Sequence, residues 1–177
     1  NFLGGSVVEC EIAYRVAPGR LGDGIPLNRD EIHGRFKVTD SRFDTTGSLP
    51  PIRDARGSIE FSGNDVDIVL DSGTAYLSGD RRIDVSNGRL VFRDANVNPV
   101  VGLLDLDIAG RAEAVAELAS LEPINAMRRL DMQPADFSGD VKGHVRTQVP
   151  LDRATDLSTL KWQVDLNTGN LDIAKPF

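Results

Sequence analysis

Hydrophobic and polar residues alternate along most of this chain. In the stretch DFSGDVKGHVRTQVPL, residues 136–151, one side carries Phe137, Gly139, Val141, Gly143, Val145, Thr147, Val149 and Leu151. The other side carries Asp136, Ser138, Asp140, Lys142, His144, Arg146, Gln148 and Pro150. A period of two predicts a strand with one apolar and one wet face. Unbroken, it would reach roughly 50 Å at ~3.3 Å per residue, where an ordinary strand has about five or six residues. Shorter alternating segments precede it: Val8 to Val16; Ile32, Gly34, Phe36 and Val38; Ala55, Gly57, Ile59 and Phe61; Val66, Ile68 and Leu70. Ile83 and Val85, then GRLVF at 88–92, then Leu104, Leu106 and Ile108 continue the series, and Leu160, Trp162, Val164 and Leu166 close it.

Turn signals separate these segments: PGRLGDG (18–24), GSLPP (47–51), SGND (62–65), SGD (78–80) and SNG (86–88). SGND between two strands predicts a tight hairpin. The expected fold is mainly β, a single β-rich segment over 1–177 built as an antiparallel sheet from successive hairpins. GRFKVTD, GSIEFSG and GRLVFRD share the form Gly, polar, apolar, any, apolar at irregular spacing. That fits a meander better than a solenoid unit.

One region breaks the rhythm. GRAEAVAELASLEPINAMRRLDMQP, 110–134, is rich in helix formers. Val115, Leu118 and Leu121 fall along one side of a first helix; Pro123 is placed to begin a second, with Ile124, Met127 and Leu130 as its apolar stripe. A short helical pair near 111–131 is therefore expected between two strands. It either covers the apolar face of the sheet or gates and widens it.

The net charge is −7 with scattered Lys and Arg, and aromatic residues are 6%. Neither a phosphate-binding basic face nor a base-stacking surface is legible, which argues against nucleic acid as a partner. The single cysteine, Cys10, precludes an internal disulfide. Its place in the alternation Val8, Cys10, Ile12, Tyr14 predicts a buried thiol. No segment reaches ~18 consecutive apolar residues, and no charged segment followed by an apolar run reads as a signal peptide. Alternation in LKWQVDLNTGNLDIAKPF runs to the last residues, as expected of a piece of a longer protein.

Catalytic chemistry is thinly represented. His33 and His144 fall on polar strand faces and read as solvated. Asp65/Asp67 and Asp105/Asp107 are paired carboxylates two residues apart, so each pair shares a face. Apolar neighbours put them on the wet side, which favours solvated charge over a metal or acid–base pair. No phosphate-binding loop, HExxH, GxSxG or calcium loop is present. The expectation is a non-enzyme without cofactor or metal.

The apolar face then needs a cover. A second sheet would make an ordinary sandwich. A long curved sheet with an open apolar groove is the other reading, favoured by the length of 136–151, the few aromatics and the small residues Gly34, Gly57, Gly139 and Gly143 on that face.

The stretch GSLPPIRDARGSIEFSGNDVDIVLDSGTAYLSGDRRIDVSNGRLVF (47–92) resembles the AsmA-like proteins of Gram-negative bacteria, in the YhdP branch related to TamB. The shared pattern is a Pro-Pro turn, Gly-x-apolar-x-Phe, a hairpin, and a glycine-led apolar strand. LDLDIAGRAEAVAELASLEPINAMRRLDMQPADFSGDVKGHVRTQVPL (104–151) is similar in order: strand, Gly, short helix, Pro-containing second helix, long strand ending in PL. The resemblance implies an inner-membrane-anchored periplasmic protein, its anchor in a segment not present here. In such a bridge-like protein a β-groove carries phospholipid acyl chains between inner and outer membranes. The implied partners are phospholipid, the rest of the parent chain and the two membranes. The implied lipid-facing residues are Ile59, Phe61, Val66, Ile68, Leu70, Leu104, Leu106, Ile108, Phe137, Val141, Val145, Val149, Trp162, Val164 and Leu166. On that reading Val145→Asp weakens lipid retention more than folding. The rival reading is a structural scaffold module of the cell envelope with a closed β-core, acting through protein partners.

Overall fold

The computed structural model describes residues 4–129, 132–150 and 160–174. Its strands are β1 (Ser6–Tyr14), β2 (Ile32–Phe43), β3 (Ile52–Ser62), β4 (Asp65–Tyr76), β5 (Arg82–Phe92) and β6 (Val101–Arg111). Helix α1 (Ala112–Ser120) and 3-10 turns at Ala126–Arg129 and Pro134–Asp136 follow. Then come β7 (Phe137–Ser138), β8 (Asp140–Pro150), β9 (Trp162–Thr168) and β10 (Asp172–Ile173). Eight strands form one antiparallel sheet in the order β1-β2-β3-β4-β5-β6-β8-β9, while β7 and β10 form a separate ribbon. β1 and β9 do not pair with each other, so the sheet is not closed into a barrel. The mainly β, antiparallel fold with a helical insertion is the one expected from the alternation.

The turn chemistry holds at two hairpins and fails inside a strand. Ser62 pairs with Asp65, so Gly63–Asn64 is a two-residue turn, with Gly63 at φ 58°. Gly79 and Asp80, both left-handed, turn β4 into β5. SNG at 86–88, by contrast, lies within β5: Ser86 pairs with Ser72 and Gly88 with Leu70. Asn87 is left-handed at φ 50° and acts as a bulge. Ile83–Val85 and GRLVF are therefore one strand. The extra residue reverses the alternation, which is why they read as two.

The stretch 136–151 is not one strand. Asp136 ends a 3-10 turn, Phe137 and Ser138 pair with Ile173 and Asp172, and the main-sheet strand begins at Asp140. The break is Gly139, at φ 115°, where a Cβ would sit 2.0 Å from the Asn170 carbonyl oxygen. Only glycine fits there. The Gly139 carbonyl accepts the Ala112 amide at 2.9 Å and so caps α1. Leu151 lies outside the described residues.

The helical pair is one helix and one 3-10 turn. α1 ends where Leu121 turns extended, and Glu122 precedes Pro123, which disfavours helical backbone. Asn125 is left-handed at φ 48°, so no second α-helix starts at Pro123. Of the expected second stripe, Leu130 lies outside the described residues. Ser48 holds the end of the first helix: its hydroxyl accepts the Glu122 amide at 3.0 Å, and its own amide donates to the Glu122 carbonyl at 3.0 Å.

The core lies where α1 meets the apolar face. Ala75, Ile83, Val85, Leu106, Ile108, Ala114 and Val145 form one buried cluster, with Ile52, Leu70, Leu77, Leu104, Val115, Leu118 and Trp162 packed against it. Ala112 and Ala116 are buried as well, because α1 is also flanked by the 3-10 turns and β7. Glu117 latches α1 to the β4–β5 turn, accepting the Ser78 amide at 3.1 Å and the Ser78 hydroxyl at 2.7 Å, and pairing with Arg81 at 2.5 Å.

Cys10 is exposed, contrary to its expected burial. It does share the apolar face, paired to Phe36. β1 is an edge strand, paired to β2 alone among the described residues.

Candidate functional site

Cross-strand register brings most of the expected lining residues onto one face. Phe36, Ile59, Ile68, Leu90, Leu104 and Thr147 form one transverse row, each paired to the next. Phe61, Val66 and Phe92 form a neighbouring row. The face divides by what covers it. Leu106, Ile108 and Val145 are buried in the cluster beneath α1, and Val141 is buried outside that cluster. Val145, expected as a lipid contact, is 9% exposed and lies within that cluster. Ile59, Phe61, Val66, Ile68 and Val149 are half-buried and outside that cluster. Leu70, Leu104 and Trp162 stand at its border. Val164 is exposed and Leu166 is 53% exposed, on edge strand β9. Phe137 is on the separate ribbon, off the main sheet.

Glycines on this face let neighbouring side chains lie across them. A Cβ at Gly34 would meet the Phe61 ring at 2.5 Å, one at Gly102 the Phe92 ring at 2.4 Å, and one at Gly143 Leu166 Cδ2 at 2.7 Å. Large side chains from one strand thus fill the place of a missing side chain on the next. The result is a low apolar floor. This pairing was not legible before the register was known.

The opposite face is an ionic lattice. Glu9 pairs with Lys37 at 2.5 Å, Arg35 with Glu60 at 3.0 Å, Arg89 and Arg93 with Asp67 at 3.0 and 2.9 Å, and Arg146 with Asp105 at 3.0 Å. Exposed pairs of this kind each stabilise by about 0–1 kcal/mol and fix register more than they hold the fold. Asp65 departs from the expected solvated carboxylate. It is buried, pairs with Arg29, and accepts the Asp94 amide at 3.0 Å. A hollow of about 570 Å³ at this end is lined partly by Arg29, Arg35 and Arg93, and each already faces a carboxylate. His33, also in the hollow's lining, is exposed on this polar face as expected.

His144 is half-buried rather than free in solvent. Its Nδ1 lies 2.7 Å from Asp107 Oδ1, and Nε2 lies 3.3 Å from Asp105 Oδ1 without hydrogen-bond alignment. Asn87 donates to Asp107 at 2.8 Å, and Asp165 of β9 is register-paired with His144. The bond to Asp107 chiefly raises the His144 pKa above its ordinary value, with Asp105 adding and Arg146 opposing. Asn87 first, then His144, lowers that of Asp107. A raised histidine pKa gives stability fully present below about 6.5 and lost as pH rises through the folded value; the depressed Asp107 gives stability lost only as pH falls through its own folded value. The urea midpoint is therefore expected to fall as pH rises above about 6.5, and His144→Gln is expected to flatten that slope. An unchanged slope in the variant would show that His144 does not carry it.

Among the described residues no cluster of three or more His, Cys, Asp or Glu is arranged to hold a metal ion, and no helix is long and apolar enough to cross a membrane. The chain matches no protein-family model, no curated protein and no solved structure. Fold and site together define a class by architecture: an open, single-layer antiparallel sheet, ionic on one face and apolar on the other. Among the described residues, α1 covers the part of the apolar face that holds Ile83, Val85, Leu106, Ile108 and Val145.

Proposed function

We propose that this chain is a segment of a periplasmic lipid-transport bridge, whose uncovered apolar face shields phospholipid acyl chains as they pass between inner and outer membranes. The reading takes its compartment and route from the resemblance to AsmA-like proteins, and with them an inner-membrane anchor elsewhere in the parent chain. The observation that carries it is the part of the apolar face outside the cluster under α1, where Ile59, Phe61, Val66 and Ile68 are half-buried. Consistent with that, the accessible surface is 11166 Å² for 19.2 kDa, whereas a compact monomer of that mass has about 8,400 Å². Each acyl methylene shielded from water contributes about 0.8 kcal/mol. The low floor offers a row of similar contacts with no deep trap, so a chain can slide. The mechanism needs no bond-making and no cofactor.

Ile68 is the probe. It is half-buried on β4, outside the core cluster, and paired to both Ile59 and Leu90. Phospholipid is expected to co-purify with the chain in native mass spectrometry, and Ile68→Asp is expected to lose it at a cost of about 1 kcal/mol in stability. A lipid-free chain that refuses added phospholipid vesicles would overturn the reading.

A second reading, the envelope scaffold acting through protein partners, is favoured by the sheet edges. Among the described residues, β1 and β9 leave one side of their backbone unpaired, and Ile12 of β1 is 52% exposed. Such an edge accepts a strand from another polypeptide. Retention of a protein partner by a lipid-free chain would decide for it.

A further inference from the structure

Four neighbouring strands change the phase of their alternation at the same level, each with one residue inserted into its period of two. On β2 the inward set Gly34, Phe36, Val38 resumes out of phase at Ser41 and Phe43. On β3 Ile52 is out of phase with Ala55, Gly57 and Ile59. On β4 Val66, Ile68 and Leu70 give way to Gly73 and Ala75, and on β5 Ile83 and Val85 give way to Gly88, Leu90 and Phe92. The register aligns these switches: Val38 pairs with Gly57 and Ser41 with Ala55, Arg56 with Ser72, and Ser86 with Ser72. Three of the switches hold left-handed backbone without glycine: Asp40 at φ 50°, Asp54 at φ 52° and Asn87 at φ 50°. Asp and Asn are the side chains that tolerate that conformation best. β6 and β8 alternate without interruption.

A bulge bends its strand and increases the local twist. A row of bulges across adjacent strands bends them together. We infer that this row is a crease folding β2–β5 into two walls, and that Asp40, Asp54 and Asn87 are positioning residues that set the width of the apolar channel between them. One wall carries Ala75, Ile83 and Val85 and is covered by α1. The other carries Phe36, Ile59, Ile68 and Leu90 and faces it across the angle. The two-walled shape stands on the bulges alone. Its role in setting a channel rests on the lipid reading.

The test is an electron–electron distance between spin labels at Asn64, in the turn before β4, and Arg82 of β5, paired with Tyr76 at the far end of β4, in a Cys10→Ser background. An unbent β4 of 12 residues separates them by roughly 40 Å at ~3.3 Å per residue. The unmodified sequence is expected to give a clearly shorter distance, and one near 40 Å would overturn the crease. Asn87→Gly keeps left-handed backbone and is expected to preserve the distance. Asn87→Val does not tolerate it and is expected to lengthen the distance or to unfold. Both variants lose the bond to Asp107, so their difference isolates the backbone. Equal distances in the two would overturn the positioning role. Phospholipid content is measured on the same samples. Loss in Asn87→Val with retention in Asn87→Gly supports channel width, and a lengthened distance with unchanged lipid overturns it. Absence of lipid from all samples refutes the transport reading while leaving the distances to judge the crease.

Discussion

Val145→Asp is expected to unfold the chain rather than only empty its apolar face. Val145 is 9% exposed, sits on β8 between Leu106 and Val164 in the pairing, and belongs to the cluster that includes Ile83 and Ala114 of α1. A carboxylate there loses its hydration, and the buried cluster is apolar. The group then protonates or expels the helix, at several kcal/mol either way. With a total stability of about 5–15 kcal/mol for an ordinary domain, a loss of ~3 kcal/mol or more is expected in urea denaturation followed by far-ultraviolet circular dichroism. An unchanged midpoint would mean that α1 does not close over this part of the sheet. The contrast with Ile68→Asp separates core from channel: one position loses fold, the other lipid.

Gly57→Val is the second large effect. Gly57 pairs with Val38 on one side and Leu70 on the other. A Cβ there would sit 2.0 Å from the Val69 carbonyl oxygen and 3.2 Å from Leu70 Cα. These are backbone atoms of the neighbouring strand, so relief requires β3 and β4 to part. The expected cost is about 2 kcal/mol or more, with hydrogen exchange faster at β3 and β4 amides than at β8. Gly34→Ala is the control. Its Cβ meets mainly the Phe61 ring, which can swing aside, so a smaller loss is expected. Equal losses would remove the distinction between backbone and side-chain approach.

The glycines also show how far the sequence could be read. Their recurrence on the apolar face was visible, and so was the space they leave. What fills that space was not, because Phe61 over Gly34 and Leu166 over Gly143 depend on register between strands. The same limit applied at the charges. His144 read as a solvated strand residue because Asp105 and Asp107 are 37 or more positions away in the chain, yet antiparallel pairing of β6 and β8 sets them beside it. Asp65 read as wet-face charge, and burial beside Arg29 came from the loop before β2 folding over the β3–β4 turn.

By itself the sequence determined the local structure: period-two alternation made the strands, Gly63–Asn64 and Gly79–Asp80 made turns, and the Ala-, Glu- and Leu-rich run made α1. These follow from forces acting within a few residues, namely side-chain direction, backbone sterics and helix propensity. Only the tertiary structure decided that SNG is a bulge rather than a turn, and that Gly139 breaks the strand Asp136–Leu151. It also decided that Cys10 is exposed and that α1 closes over the part of the apolar face that holds Ile83, Leu106 and Val145. Each of those depends on what lies alongside. A bulge is a difference in residue count between two paired strands, and burial is a property of the neighbour that covers a side chain. Neither quantity exists until distant parts of the chain are brought together.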